Sequence, residues 1–422
     1  MRSSGAQATE PRLISTTVAI DDFELAAAAA VPHSFAWMRN GEGFVGYGRA
    51  ARIDVATSGD RCDRASLSLE RLLDSADVND DVGAPGTGPI AAGALTFDTG
   101  APGSCLVVPE VVLGRRGGRA WRTHNAFGTA ATPLPLSPIE SLRAPLGASS
   151  PEAPALGGSS MTEAQWLAAV AIAVAAVEAG DLDKVVLARD IVMTNPEPFD
   201  AGVVVHRLAS AYPGCFTFSC DGFVGASPEL LVRRSGERVE SLPLAGSAPR
   251  GTTASEDAAL GKGLERSLKD RREHDLTVQM IREALEGVCN TVHVEPGPFL
   301  MRFANIWHLA TRVTGRLGTP LSALELAGRL HPSAAICGVP TDAALTFIRR
   351  YEGLDRGRYG GPVGWVDARG DGEWAIALRC AEIEGNRARL FAGGGIVAAS
   401  EPQAELDETK FKLRAMSSAL AG

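Results

Sequence analysis

Four acidic residues fall into two helical pairs. Asp270 and Glu273 lie three apart in Leu268-Lys-Asp-Arg-Arg-Glu-His-Asp-Leu-Thr-Val-Gln-Met-Ile281, and Glu405 and Glu408 lie three apart in Ala404-Glu-Leu-Asp-Glu-Thr-Lys-Phe-Lys412. That spacing puts both carboxylates of a pair on one helix face. If the two helices face each other, four carboxylates surround one point, and a hard divalent cation relieves their repulsion. Few all-protein ligands, retained waters and a substrate oxygen describe Mg²⁺ better than Ca²⁺. Such pairs more often mark solvated helix faces, so spacing alone leaves both readings open.

Other residues carry chemistry of a different kind. Lys184 shares a strand face with Val186 and Ala188 and so points inward or, at the strand end, reaches solvent. A desolvated lysine loses its preference for the charged form and serves as a base. Glu229, in Ala226-Ser-Pro-Glu-Leu-Leu231, is a turn residue or, if buried, a general acid. The guanidinium of Arg379 suits a carboxylate or an edge salt bridge. In Phe391-Ala-Gly-Gly-Gly-Ile-Val397, backbone N–H groups can approach an anion closely, or the run is a plain turn. It lacks GxGxxG spacing, and no HxxxH pair supports a zinc hydrolase. His308 stands alone, as a core or surface histidine does.

These residues need elements to hold them. Residues 1–15 read as a flexible tail. Residues 16–150 are mostly β, with short apolar runs such as Ala94-Leu-Thr-Phe97 and Cys105-Leu-Val-Val108 broken by Gly and Pro. Ala144 to Ser159 reads as a loop. A capping box, Ser160 to Glu163, starts a helix in which Trp166, Val170, Val174 and Val177 recur before Gly180. The stretch 151–422 then alternates strands (Lys184 to Arg189, Phe216 to Val224, His308 to Thr314, Trp374 to Arg379) with helices over about Lys262 to Val288 and Pro402 to Leu420. The class is α/β or α+β with much antiparallel sheet.

Composition bounds the rest. The chain has 422 residues, 45% of them hydrophobic and 22% charged, enough for a sizeable core. A net charge of −9 argues against nucleic acid as the main partner. No apolar run is long enough to span a membrane, and the first residues lack a signal-peptide core. Seven cysteines without a CxxC pair suit reduced thiols in the cytoplasm.

Seven motifs in one order resemble the chorismate-utilising enzymes: Lys184-Val-Val-Leu-Ala-Arg189, Ser227-Pro-Glu-Leu-Leu231, Pro243-Leu-Ala-Gly-Ser-Ala-Pro-Arg-Gly251, Lys269-Asp-Arg-Arg-Glu-His274, Leu330-His-Pro-Ser-Ala-Ala335, Arg358-Tyr-Gly-Gly-Pro-Val-Gly-Trp365 and Phe391 to Lys412. The likeness runs from about Met161 to the C-terminus and more loosely before it, making 151–422 the expected chorismate-binding catalytic region. It implies one large α/β unit, a central antiparallel β-sandwich flanked by helices. Within the family the motifs are most similar to isochorismate synthases.

The resemblance implies chorismate as substrate and Mg²⁺ as cofactor. Glu273 and Glu408 would be metal ligands, with Asp270 and Glu405 supporting directly or through water. Asp270 is shorter than the glutamate some relatives carry there. Tyr359, Arg379, the N–H groups of Gly393 and Gly395, and Lys412 would hold substrate carboxylates, and His308 and Gly246 would line the ring. Lys184 would be the general base and Glu229 the general acid. Ser247 stands where the family often has Thr and keeps the hydroxyl. Ser333-Ala334 stands where Thr-Pro is common. Ala245 stands where aminodeoxychorismate synthases often have a lysine nucleophile, and Lys184 is usually absent from the ammonia users. Water is therefore the expected nucleophile, with no glutaminase partner and a monomer. Salicylate synthase, which goes on to eliminate pyruvate, is the alternative, and a non-catalytic chorismate-binding paralogue a further one. Both menaquinone and siderophore synthesis remain open as destinations of the product.

Overall fold

The computed structural model describes residues 11–31, 33–128 and 154–422. Residues 1–10 of the expected tail and most of the loop expected from Ala144 lie outside this range, whereas Arg12 to Ser15, expected in the tail, belong to the strand Arg12–Ile20, which pairs with Arg119–Gly128.

Two large sheets organise the chain. The first has 13 strands. Its order runs from Ala155–Gly158 through Lys184–Thr194, Arg387–Ile396, Cys380–Glu384, Phe223–Ser227 and Phe216–Cys220 into Phe35–Arg39 and the other N-terminal strands. The second has nine, including Leu230–Ser235, Gly372–Ile376, Pro362–Asp367 and Ile90–Ala94. Both sheets thus draw strands from both ends of the sequence. Among the described pairings all are antiparallel except Arg12–Ile20 with Asp77–Asp80. This is the sandwich that the family resemblance implies.

Aromatic side chains join the two layers. Trp37 of the first sheet donates its indole N–H to Glu373 of the second at 3.0 Å. Phe44 meets Trp365 edge to face with centroids 5.2 Å apart. Each fully buried large side chain contributes about 1.5–3 kcal/mol, so this interface is a main source of stability. Arg233 and Arg116 complete the Glu373 carboxylate at 2.7 and 3.3 Å. Burial opposes its charge, but these guanidiniums hold its pKa below the ordinary value.

A third, three-stranded sheet (Leu244–Pro249, Ile306–Ala310, Phe299–Arg302) carries the helix Leu268–Glu286 on one face. The last helix, Pro402–Ala421, packs on Arg387–Ile396. The two acid-bearing helices therefore approach one region from separate supports.

Several local expectations change. The capping box belongs to Thr162 and Gln165, two residues later than Ser160 and Glu163, because Ser160 is engaged elsewhere. Its N–H and hydroxyl both donate to Asp190, at 2.7 and 2.8 Å. Ala155–Gly158, expected as loop, is a short edge strand. The long helix from Lys262 is two, Ala254–Arg266 and Leu268–Glu286, because Ser267 leaves helical geometry and caps the second. Phe216 to Val224 is a hairpin rather than a single strand, and His308 to Thr314 divides between two strands, Ile306–Ala310 of the third sheet and Val313–Leu317 of the second. The glycine run is the end of a strand rather than a turn. The N-terminal stretch also holds the helix Arg61–Asp74, whose apolar face seats on Ala323–Leu330.

The lysine strand is clamped from below. Arg356 donates to Val186 O at 2.9 Å and Ile336 O at 2.8 Å, while Glu352 accepts the Ala188 N–H at 2.8 Å. The two side chains pair with each other and are 3% and 1% exposed, so desolvation makes their mutual satisfaction obligatory.

Candidate active site

A cleft opens between the end of Arg387–Ile396, the third sheet, the last helix and the loop after Phe223–Ser227. It is lined by Glu229, Gly246, Ser247, Glu273, His308, Tyr359, Arg379, Gly393, Gly395, Glu408 and Lys412, eleven of the fourteen residues singled out above. Lys184, Asp270 and Glu405 lie immediately behind that lining, each against one of its residues.

Beyond Leu390 the glycine strand has the lysine strand on one side, and no partner on the other among the described pairings. In an extended strand the N–H and C=O of one residue share an edge, and alternate residues repeat it. Gly393 O accepts from Lys412 Nζ at 2.8 Å on the open side. The N–H groups of Gly393 and Gly395 therefore face the cleft, as anion binding requires.

Lys184 is fully buried, and its Nζ lies 3.1 Å from Glu273 Oε1. Strand alternation puts Val186 on the same face, toward the cleft, and the opposite face, with Val185 and Leu187, is buried as well. Gly395 makes the pair possible: a Cβ there would stand 2.2 Å from Glu273 Oε1 and 2.8 Å from Lys184 Cε. Gly246 plays the same part beneath Asp270. It has φ +75°, and a Cβ would fall 2.8 Å from that of Asp270.

Glu229 is 4% exposed. Ser227 fixes its turn by donating to Ile376 O at 2.6 Å and accepting the Glu229 N–H at 3.3 Å. Burial pushes the Glu229 carboxyl up to about 8, against the Leu244 N–H and the charges of Lys184 and Arg379. A neutral carboxylic acid at pH 7 is what proton donation needs.

Arg379 sits at φ +48°, in the left-handed region, and its Nη2 is buried without a hydrogen-bond partner. A guanidinium N–H left unpaired on a cleft wall is a ready anion donor. Tyr359 stacks on Phe391 at 5.3 Å. The His308 ring nitrogen Nδ1 is 3.1 Å from Gly246 O, and burial lowers its pKa to about 3, so the ring is neutral.

The four acids share the region but do not converge on one point. Among the described residues, no three His, Cys, Asp or Glu side chains form a ligating group. Each glutamate instead meets an ammonium: Glu273 with Lys184, Glu405 with Lys269 at 2.5 Å, and Glu408 with Lys412 at 2.8 Å. Ser247 donates to Glu408 at 2.6 Å and Ser400 to Glu405 at 2.7 Å. Burial raises Asp270 and Glu405. It opposes Glu408 too, but Lys412 and Ser247 hold that carboxyl down to about 2. For Lys269, burial is outweighed by Glu405, Glu408 and Glu273, and its pKa is raised. An all-oxygen, partly desolvated donor set whose charge the chain must offset with its own cations fits a hard divalent ion.

No role for Lys269 or Ser400 follows from the sequence. Lys269 stood inside a recognised motif, but nothing in its spacing pointed at Glu405. Ser400 and Leu244 likewise stand inside recognised motifs with no spacing that marks them, and Ile336 and Leu378 carry no sequence signal of a site.

The chain belongs to the chorismate-binding enzymes, whose family profile matches residues 2–421. Isochorismate synthase EntC of Escherichia coli K12 is 36% identical over 403 residues, covering 94% of this chain and 97% of that protein. Isochorismate synthase DhbC of Bacillus subtilis is 43% identical over 249 residues, covering 56% and 63%. The solved structure of MenF, the menaquinone-specific isochorismate synthase from Escherichia coli, superposes with a TM-score of 0.80 at 25% identity, covering 98% and 96%.

Proposed function

We propose that this chain is an isochorismate synthase, converting chorismate to isochorismate by attack of water at C2 with loss of the C4 hydroxyl. The observation that carries the reading is the pairing of a buried lysine with a buried, neutral carboxylic acid: Lys184 is fully buried, and Glu229 has a pKa raised to about 8.

Lys184 takes a proton from water as the oxygen bonds to C2. The ring double bonds shift, the C4–O bond breaks, and Glu229 gives its proton to the departing hydroxyl, releasing water. Return of the proton from Lys184 to Glu229 restores both groups, and the net change is an isomerisation. Arg379, the Gly393 and Gly395 N–H groups and Lys412 hold the two substrate carboxylates, and Tyr359, Gly246 and His308 border the ring. Glu273 and Glu408, supported by Asp270 and Glu405, would hold Mg²⁺. When bound, the ion neutralises a substrate carboxylate and fixes the ring relative to Lys184 and Glu229. Ala245 leaves no lysine to compete as nucleophile, which supports water over an amine. No glutaminase partner is needed for that chemistry, and no helix of the described residues is long and apolar enough to cross a membrane. We take the enzyme to act alone as a cytoplasmic monomer.

The test is turnover in oxygen-18-labelled water. Water attack places one label atom at C2 of the product, whereas unlabelled product would rule out the nucleophile assigned here.

A further inference from the structure

We infer that Lys269 is a built-in counter-cation that competes with Mg²⁺ for the carboxylate cluster and so keeps the metal affinity of the substrate-free enzyme low. This rests on the reading of Glu273, Glu408, Asp270 and Glu405 as the metal site. Four carboxylates stand against three ammonium groups, those of Lys184, Lys269 and Lys412, each on a different glutamate. The cluster is thus almost balanced without any ion, and an entering dication must displace charge already in place.

The three lysines are not equally free to leave. Lys184 is fully buried on a clamped strand. Lys412 is anchored twice, on Glu408 and on Gly393 O. Lys269 has one hydrogen-bond partner among the described residues, Glu405, and its side chain is 30% exposed. A flexible four-carbon stem can rotate such an ammonium into water. Ser400 donates to the same Glu405 oxygen, so the carboxylate keeps its orientation when the lysine departs.

Lys269 sits beside Asp270 at the start of its helix, and the charges of Glu273, Glu405 and Glu408 all act on it. A cation at that point repels a dication bound by the same acids. A dianionic substrate brings compensating charge, which favours metal binding together with substrate over metal binding alone.

The experiment is calorimetric titration of MgCl₂ into the full chain without substrate, for the wild type, Lys269→Gln, Lys269→Met and Lys269→Arg. Two neutral replacements guard against one failing to fold, which thermal unfolding checks. The neutral variants are expected to bind Mg²⁺ about tenfold more tightly, a gain typical of removing one nearby like charge. Lys269→Arg is expected to stay near the wild type. Unchanged or weaker binding in the neutral variants overturns the inference. Full turnover of chorismate by chelated wild type instead overturns the metal reading on which it rests, so the two failures are distinguishable.

Discussion

The backbone N–H of Leu244 reaches Glu229 Oε1 at 3.3 Å, and no other hydrogen bond touches that carboxyl among the described residues. One weak donor does not offset the loss of water around a buried carboxylate, and the pKa rises to about 8. Because the acid form does the work, kcat should fall as pH rises through about 8. Glu229→Gln should lose that limb along with about 10²–10⁴-fold in rate. A pH–rate profile of both proteins checks this. The same shift has a stability consequence: the unfolded carboxyl ionises near its ordinary value, so this group's contribution to folding declines from there to about 8 and is constant above. Urea titrations at pH 6 and 9 should differ less in Glu229→Gln than in the wild type.

Lys184→Ala removes the proposed base and leaves Glu273 without its ammonium. Turnover should drop by at least about 10²-fold while the far-ultraviolet circular dichroism stays that of the wild type. Near-normal turnover in the folded variant would remove Lys184 from the mechanism.

The glycine strand predicts a graded pair. A methyl on Gly395 would overlap Glu273 Oε1 at 2.2 Å, whereas one on Gly394 meets Glu405 Oε2 at 2.9 Å. Gly395→Ala should therefore reduce kcat/KM well beyond Gly394→Ala, by about tenfold or more, since small misplacements of reacting groups carry large rate penalties. Steady-state kinetics on the two variants tests the order.

The clamp beneath the lysine strand is a stability prediction. Arg356→Ala leaves Glu352 buried and unpaired and frees Val186 O and Ile336 O. Breaking a buried pair from one side costs about 3–5 kcal/mol. Chemical denaturation should read a loss of that order.

What the sequence revealed follows from which forces are local. Strand alternation put Lys184 and Val186 on one face, and that face borders the cleft, while burial of the other face, with Val185 and Leu187, comes from packing that alternation does not show. The spacing of Trp166 and Val170 marked a helix that exists, but its cap moved from Ser160 to Thr162 because Asp190, thirty residues on, claims Ser160. No local pattern carries that competition. Helical spacing paired Asp270 with Glu273 and Glu405 with Glu408, yet could not place one helix relative to the other, since each rests on its own sheet. The motif order supplied that relation through resemblance. It did not reach Lys269, whose partner lies 136 residues away. Nor did it reach Glu352 and Arg356, whose value comes entirely from burial against the strand that carries Lys184.

The most direct measurement is chromatography of products after incubating the purified chain with chorismate and Mg²⁺. The account predicts isochorismate as the accumulating product, with activity lost on chelation and in Lys184→Ala. Salicylate and pyruvate appearing together without a second enzyme, or no consumption of chorismate by the folded protein, would contradict it.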